Sequence, residues 1–383
     1  MSDATKAGPS EPDTRAAALL ARFERAGYRR IEPPLLQPAE PFLDLSGEDI
    51  RRRMFLTSDM QGRELCLRPD LTIPVSREYL ESSDAGTSAG FCYLGPVFRH
   101  RDDAPSEFKQ AGIESFGRRD TAAADAEMVW LGIEATTHYG IAAPDIRLGD
   151  VALFAALMAA LDLPAAWKRR LIKDFNRLGD LEQDLDAFAL STAQVGHDYC
   201  GVLSALAGSD PKAAHALVTD LLSIAGITAV GGRSVDEIAD RFLEQAALGA
   251  TSGLPHETRQ LIQRFLSIAG HPDDAAAEIR ALMSDANRNI DAALDLFETR
   301  TGFMAARGVD LGRIRFSTAF RRGVDYYTGV VFELHDPKRR TDRQLVGGGR
   351  YDDLISRLNP KMAIPAVGFA VWIDRLAALE AAQ

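Results

Sequence analysis

Apolar positions in the first third of the chain pass from a helical to an alternating period. In TRAAALLARFERA, from Thr14, residues Leu19, Leu20 and Phe23 recur at helical spacing and Gly27 supplies the stop, which predicts an amphipathic first helix. Tyr28 to Ile31 then leads into Pro33-Pro34. Strand-like runs at Met54 to Ser58 and Glu64 to Arg68, with Ser58-Asp59 and Gly62 between them, predict a hairpin, and a helix is expected from Pro74 to Glu81. The loop SSDAGTSAG, residues 82–90, feeds two β-like segments, Phe91 to Arg99 and Phe108 to Phe116, expected to be antiparallel neighbours.

From about residue 120 to 310 Ala and Leu dominate, with breakers at Gly208, Pro211, Gly231-Gly232, Gly253, Pro255 and Gly270, so this stretch predicts helix. Strand-like segments return at Arg313 to Ser317 and Gly329 to His335. A glycine turn at Gly347-Gly348-Gly349, a short helix, a strand at Ala366 to Trp372 and a last helix follow. β-rich ends bracketing a helical middle predict one α+β core, an antiparallel sheet flanked by helices, built from residues 14–164 and 311–383. Residues 165–310 would be a mostly helical insertion and residues 1–13 a polar tail.

Charge and composition narrow what such a chain does. The 383 residues carry 44 Lys and Arg against 55 Asp and Glu, a net charge of −11, which disfavours nucleic acid as the main partner because phosphate binding calls for a surplus of cations. A hydrophobic fraction of 46% and a charged fraction of 26% exclude disordered and fibrous classes. The N-terminal residues lack the basic and apolar regions of a signal peptide, and the longest apolar run, Val151 to Leu161, falls well short of the ~20 residues of a spanning helix. Cys66, Cys92 and Cys200 are too few and too scattered for a disulfide framework. A cytoplasmic protein with no membrane segment is expected.

Several motif candidates fail. Gly86-Thr87-Ser88-Ala89-Gly90 matches a nucleophile-elbow string but precedes a strand instead of following one. The seven His residues show no metal-ligand spacing, Cys200 near His197 is an isolated pair, and no phosphate-binding glycine loop is present, so neither metal nor cofactor is expected. Lys168 to Lys173 and Lys338 to Arg343 read as solvated basic stretches that could also meet an acidic partner.

Four segments combine charge with β context: LRPDLT at Leu67, the run from Tyr93 to Gly117, RRGVDYYTGVVFEL at Arg321, and GGGRYDDLISRL at Gly347. If Phe108 to Phe116 is a strand, Gln110 and Glu114 project on one face with only Gly112 between them, a polar notch with an open floor. An amide and a carboxylate there suit a small ligand bearing an ammonium or imidazole. The same pattern also fits the solvated face of an antiparallel sheet.

Together these segments resemble the core of a class II aminoacyl-tRNA synthetase, specifically histidyl-tRNA synthetase. GYRRIEPPLL from Gly27 resembles motif 1, FRHRDDAPSEFKQAGIE from Phe98 resembles motif 2, and RRGVDYYTGVVFE from Arg321 resembles the histidine-specific signature. GGGRYDDL with PAVGFAVWIDRL from Pro365 resembles motif 3 and its approach. The resemblance implies that Asp70, Thr72 and Gln110 face a histidine ammonium and that Glu114, Tyr326 and Tyr327 line the imidazole side. It also places Arg99, Arg322 and Arg375 where synthetase arginines serve ATP phosphates or the carboxylate, and makes motif 1 a homodimer interface.

Departures from the motifs change the functional expectation. Trp372 stands where a glycine lets ATP lie against the sheet, Arg101 replaces a glutamate, and Ser106 replaces a loop arginine. The chain stops eight residues after Arg375, so no anticodon-binding domain is expected. A kept histidine pocket beside a damaged ATP site, Arg99, Arg101, Trp372 and Arg375, is similar to the regulatory subunits of ATP phosphoribosyltransferase. That resemblance implies no catalytic residues of its own, a short catalytic subunit as partner, and feedback inhibition of histidine biosynthesis by histidine. A coupling of about 1–3 kcal/mol between effector and partner would suffice. Two alternatives are a histidine–tRNA ligase lacking its anticodon-binding domain, favoured by Arg99, Arg322 and Arg375, and a histidine sensor for another partner.

Overall fold

A computed structural model describes residues 14–102, 104–176, 181, 185, 211–224 and 254–381. The polar tail, Cys200, His197 and the breakers Gly208, Gly231, Gly232 and Gly253 lie outside the described residues. The chain opens with α1 (Thr14–Arg25), β1 (Arg29–Arg30), β2 (Leu36–Pro38), α2 (Glu40–Leu45) and α3 (Gly47–Arg51). The hairpin β3 (Phe55–Ser58) and β4 (Glu64–Leu67) leads to α4 (Thr72–Glu81), β5 (Ala89–Phe98) and β6 (Glu107–Phe116). Next come α5 (Thr121–His138), β7 (Asp145–Asp150), α6 (Val151–Ala160), α7 (Ala165–Asn176) and α8 (Pro211–Ile224). After α9 (His256–Leu266) follow β8 (Ala269–Gly270), α10 (Pro272–Asp285), α11 (Asp291–Ala306) and β9 (Ile314–Ser317). The C-terminal part holds β10 (Val330–His335), β11 (Val346–Arg350), α12 (Asp352–Leu358), β12 (Ala366–Trp372) and α13 (Ile373–Ala381).

A nine-stranded sheet in the order β1-β5-β6-β12-β11-β10-β7-β9-β8 carries the fold, and β2-β4-β3 form a smaller second sheet. The centre from β5 to β7 is antiparallel throughout, while β1 on β5 and β7 on β9 pair in parallel. Helices α1 and α5 cover one face. On α1 the stripe Ala16, Leu19, Leu20 and Phe23 is buried, and the Phe23 ring meets Phe369 of β12 edge-on at 5.8 Å. Gly132 lets α5 approach the sheet, because a Cβ there would sit only 3.3–3.4 Å from Leu334, Val346 and Phe332. The β3–β4 hairpin closes as its turn residues predict: the Asp59 carboxylate accepts from the Gln61 and Arg63 amides at 2.9 Å, and Gly62 takes a φ of 79°.

Two features depart from the sequence reading. Gly347, Gly348 and Gly349 lie inside β11 and make no turn; each passes under a neighbour that a side chain would strike, namely Arg322, Phe369 and Tyr327 in turn. β7, within the stretch expected to be helical, is a central strand paired with β10 and β9.

Packing separates the chain into two compact units, one made of Met1–Leu153, Ser267–Asp285 and Asn289–Gln383, the other of Phe154–Leu266 and Ala286–Arg288. Helices α10 and α11, expected in the insertion, therefore belong with the sheet. Amphipathic spacing shows that a helix buries a stripe but not against what, and Arg300 on α11 settles it by pairing with Asp125 on α5 at 2.8 Å. In the second unit Phe154 stacks on Phe175 at 4.1 Å and 11°.

Candidate functional site

The face of the sheet opposite α1 and α5 presents the residues singled out on β6. Register opposes Gln110 to Trp372 and Gly95, Gly112 to Ala370 and Tyr93, and Glu114 to Gly368 and Phe91. Both polar side chains are 1% exposed, so the solvated-face reading of this strand does not hold. The notch floor is not open either: a Cβ on Gly112 would overlap the Tyr93 hydroxyl, which fills that space.

Glu114 is the centre of the site. Thr72 Oγ1 donates to its Oε1 at 2.8 Å, the Tyr93 hydroxyl donates to the same oxygen at 3.2 Å, and the Tyr351 hydroxyl donates to Oε2. Burial pushes this carboxyl up to about 8, against the pull of those three hydroxyls, so near neutral pH it is largely protonated. Gly368 makes room for it, since a side chain there would collide with Oε2.

Asp70 precedes α4, and its Oδ1 accepts from the Ile73 amide at 3.2 Å, so the RPDLT turn presents a carboxyl and the Thr72 hydroxyl together. Burial raises the Asp70 carboxyl above the ordinary aspartate range, opposed by the guanidinium of Arg99 and by backbone amides. Arg99 is held by the Pro69 carbonyl, to which its Nε donates at 2.6 Å. Arg68 of the same segment is structural: its Nε donates to the Pro96 carbonyl at 2.9 Å, and its guanidinium lies over Gly95.

An aromatic wall comes from the C-terminal half. Tyr326 and Tyr327 are 5% and 8% exposed, with ring centroids 5.1 Å apart, and Tyr326 meets Tyr351 edge-on at 5.7 Å. Arg322 lies across Gly347, donates to the Tyr327 hydroxyl at 2.6 Å and to Glu333 Oε1 at 3.2 Å, and stands 6.0 Å from the Trp372 ring. Gln110 Oε1 is buried with no hydrogen-bond partner, an acceptor left for something else to satisfy.

Arginines gather at the Trp372 end of this face. Arg375 stacks over the indole at 5.0 Å and donates to the Gln344 carbonyl at 2.5 Å. Burial, then the nearby charges of Arg101, Arg343 and Arg99, lower its pKa to about 10. Arg101 lies 4.3 Å over the Phe108 ring.

The structure thus joins Thr72 directly to Glu114 and Arg322 directly to Tyr327. It sets Asp70 and Tyr326 within electrostatic reach of Glu114, places Arg375 over Trp372, and brings Arg99 and Arg101 within electrostatic reach of Arg375. Sequence reasoning missed Tyr93, Tyr351, Glu333 and Gly368. Tyr351 lay inside a quoted motif, and Tyr93 becomes visible once β5 is registered against β6. Among the described residues no group of His, Cys, Asp and Glu is arranged to hold a metal ion, and no helix is long and apolar enough to cross a membrane.

The histidyl-tRNA synthetase family model matches residues 10–242 and 214–376. The chain is 41% identical to an ATP phosphoribosyltransferase regulatory subunit of Sinorhizobium medicae, over 94% of this chain and 96% of that protein. It is 39% identical to the one of Agrobacterium fabrum, over 95% and 96%. Among solved structures, an ATP phosphoribosyltransferase regulatory subunit/histidyl-tRNA synthetase from Bacillus halodurans superposes with a TM-score of 0.68 at 22% identity, covering 98% of this chain and 82% of that one. Histidyl-tRNA synthetase from Nostoc sp. PCC 7120 gives a TM-score of 0.61 at 18% identity, covering 98% and 77%. These two likenesses speak for the fold, and the sequence relatives speak for the branch: the chain belongs to the family of ATP phosphoribosyltransferase regulatory subunits, built on the histidyl-tRNA synthetase-like class II fold.

Proposed function

We propose that this chain is a non-catalytic, cytoplasmic regulatory subunit that binds free histidine on the pocket face of its sheet. It would pass that occupancy to a short ATP phosphoribosyltransferase catalytic subunit, giving feedback control of the first step of histidine biosynthesis. A homodimer through the segment from Gly27 to Leu36 belongs to the same reading.

The observation that carries it is the buried Glu114 carboxyl, ringed by three hydroxyls and placed near a second carboxyl, Asp70. Two carboxyls with different surroundings suit a ligand with two basic nitrogen groups. Asp70, Thr72 and the unpartnered Gln110 Oε1 would receive the α-ammonium, a charge-assisted contact in a dry site. The protonated Glu114 would face the imidazole beside Tyr326 and Tyr327, and Arg322 would answer the α-carboxylate. The protonated Glu114 carboxyl can donate a hydrogen bond to a neutral imidazole nitrogen, so neither group need carry charge in the dry site. No bond is made or broken in the ligand. Histidine needs only to bind one state of the complex more tightly than the other.

Calorimetry of the purified chain with histidine, followed by assay of a short catalytic chain with and without it, tests the reading. Histidine binding together with a histidine-dependent change in phosphoribosyltransferase rate is expected; absence of both overturns it. The positions of Arg99, Arg322 and Arg375 favour a second reading, histidine–tRNA ligase. Adenylate formed from histidine and ATP at a synthetase-like rate would establish that one instead.

A further inference from the structure

Beneath the pocket, on the helix-covered side of the sheet, four buried charged side chains join into one chain of ion pairs. Arg350 donates through Nε and Nη2 to Asp125 Oδ1 at 2.8 and 2.6 Å, and the other oxygen of Asp125 accepts from Arg300 Nε at 2.8 Å. Arg300 Nη1 donates onward to Asp150 Oδ2 at 2.5 Å. Exposures of 0% for Asp125, 1% for Arg300, 3% for Asp150 and 4% for Arg350 place the set in the interior. Such networks are no net gain over apolar packing as a rule, so their value lies in fixing geometry.

What they fix is the aromatic side of the pocket. Arg350 stands between Gly349, on the pocket face, and Tyr351, which donates to Glu114. The Arg350 carbonyl accepts from the Thr328 amide at 2.8 Å, and Thr328 follows Tyr327 directly. The Thr328 hydroxyl accepts from the Asp352 amide at 3.0 Å, while Asp352 Oδ1 accepts from Arg350 Nη1 at 2.9 Å and from the Ala366 amide at 2.8 Å. At the far end of the chain of pairs, the Val151 amide, next to Asp150, donates to the Gly329 carbonyl at 3.0 Å. The backbone at both ends of the ion-pair chain therefore holds the Thr328–Gly329 segment, and Arg350, at one end, directly precedes Tyr351.

We propose that Asp125 and Arg350 are positioning residues for ligand binding. They hold the Tyr351 hydroxyl on Glu114 and, with it, the aromatic wall that an imidazole would meet, with Arg300 carrying the position of α11 into the same network. The proposal rests on the reading that this pocket takes histidine.

The test is a double-mutant cycle on the full chain with free histidine as the probe, read by calorimetry, with urea unfolding as a check on the fold. Asp125→Asn is expected to weaken histidine about tenfold. In a Tyr351→Phe background, where the hydroxyl being positioned is gone, the same substitution is expected to cost less than about twofold, because coupled residues give non-additive effects. Equal losses in both backgrounds, or no loss in either, overturn the positioning role. Thr328→Val removes one link without touching a buried charge, so it decides the matter if Asp125→Asn does not fold. A weakening that shrinks in the Tyr351→Phe background supports the role, and unchanged or background-independent affinity refutes it. A wild-type chain that fails to bind histidine overturns the pocket reading and this inference with it, whereas a binding wild type with an unaffected Asp125→Asn overturns this inference alone.

Discussion

The hydroxyl of Tyr93 occupies the space that any side chain at position 112 would need, while donating to Glu114 Oε1 at 3.2 Å and lying 3.4 Å from the Phe369 carbonyl. Gly112 is thus the opening through which a tyrosine on β5 reaches the carboxyl on β6. Gly112→Ala must displace that ring within a packed layer, and overpacking of this kind costs about 1–3 kcal/mol. Tyr93→Phe, which keeps the ring and loses the donor, is expected to cost less stability. Thermal melts of the two variants, alongside histidine calorimetry, check the order.

Glu114 gives the sign of a pH dependence. Its folded pKa, about 8, lies above the ordinary glutamate range because burial disfavours the charged form. The folded state therefore holds a proton that the unfolded chain has released. This contribution is fully present below the ordinary glutamate pKa and is lost as pH rises toward 8. The slope is up to about 1.4 kcal/mol per pH unit in that window. Glu114→Gln, which cannot ionise, is expected to remove that slope from urea-unfolding free energies measured between pH 5 and 8, and an unchanged slope would place the titration elsewhere.

Which parts of this were legible beforehand follows from physics that is local or not. β6 shows in the sequence because alternation along one strand already sets Gln110, Gly112 and Glu114 on one face. The Tyr93 hydroxyl does not, since its arrival depends on a register between strands. By sequence β11 reads as a turn because three glycines carry weak strand preference, yet each is needed where Arg322, Phe369 or Tyr327 crosses the strand. β7, DIRLGD, hides among helical neighbours because only Ile146 and Leu148 mark it as a strand, and its pairing on both sides is non-local. The helices α10 and α11 read correctly as helices. The attachment of α11 to the sheet layer includes Arg300, a charge whose buried partners lie more than a hundred residues away in the chain.

Cys66 and Cys92 provide a test of the core independent of any ligand. Both are 0% exposed, and burial pushes each thiol up to about 12. At pH 8 the reactive thiolate fraction is then on the order of one in ten thousand. Peptide mapping after iodoacetamide treatment is expected to find both unmodified in the folded chain and both modified in denaturant. Rapid labelling under native conditions would mean that the β2-β4-β3 sheet or the β1–β5 edge opens locally.

Trp372 bears on why an arginine-rich corner of a synthetase-like fold would not use ATP. The indole is 5% exposed, sits between Arg375 at 5.0 Å and Arg322 at 6.0 Å, and projects from the face that carries Gln110. If the ring fills the space of a nucleotide base, Trp372→Gly should open it, and ATP affinity measured by calorimetry should rise at least about tenfold. Deleting a buried indole costs about 3–5 kcal/mol, so the variant must first be shown to melt cooperatively. A folded variant with no gain in ATP affinity would exonerate the indole. Burial, and then the like charges of Arg101 and Arg343, depress the Arg375 pKa, and Arg101→Glu in the Trp372→Gly background then tests whether that crowding governs ATP affinity: a further rise implicates it, and no change or a fall clears it.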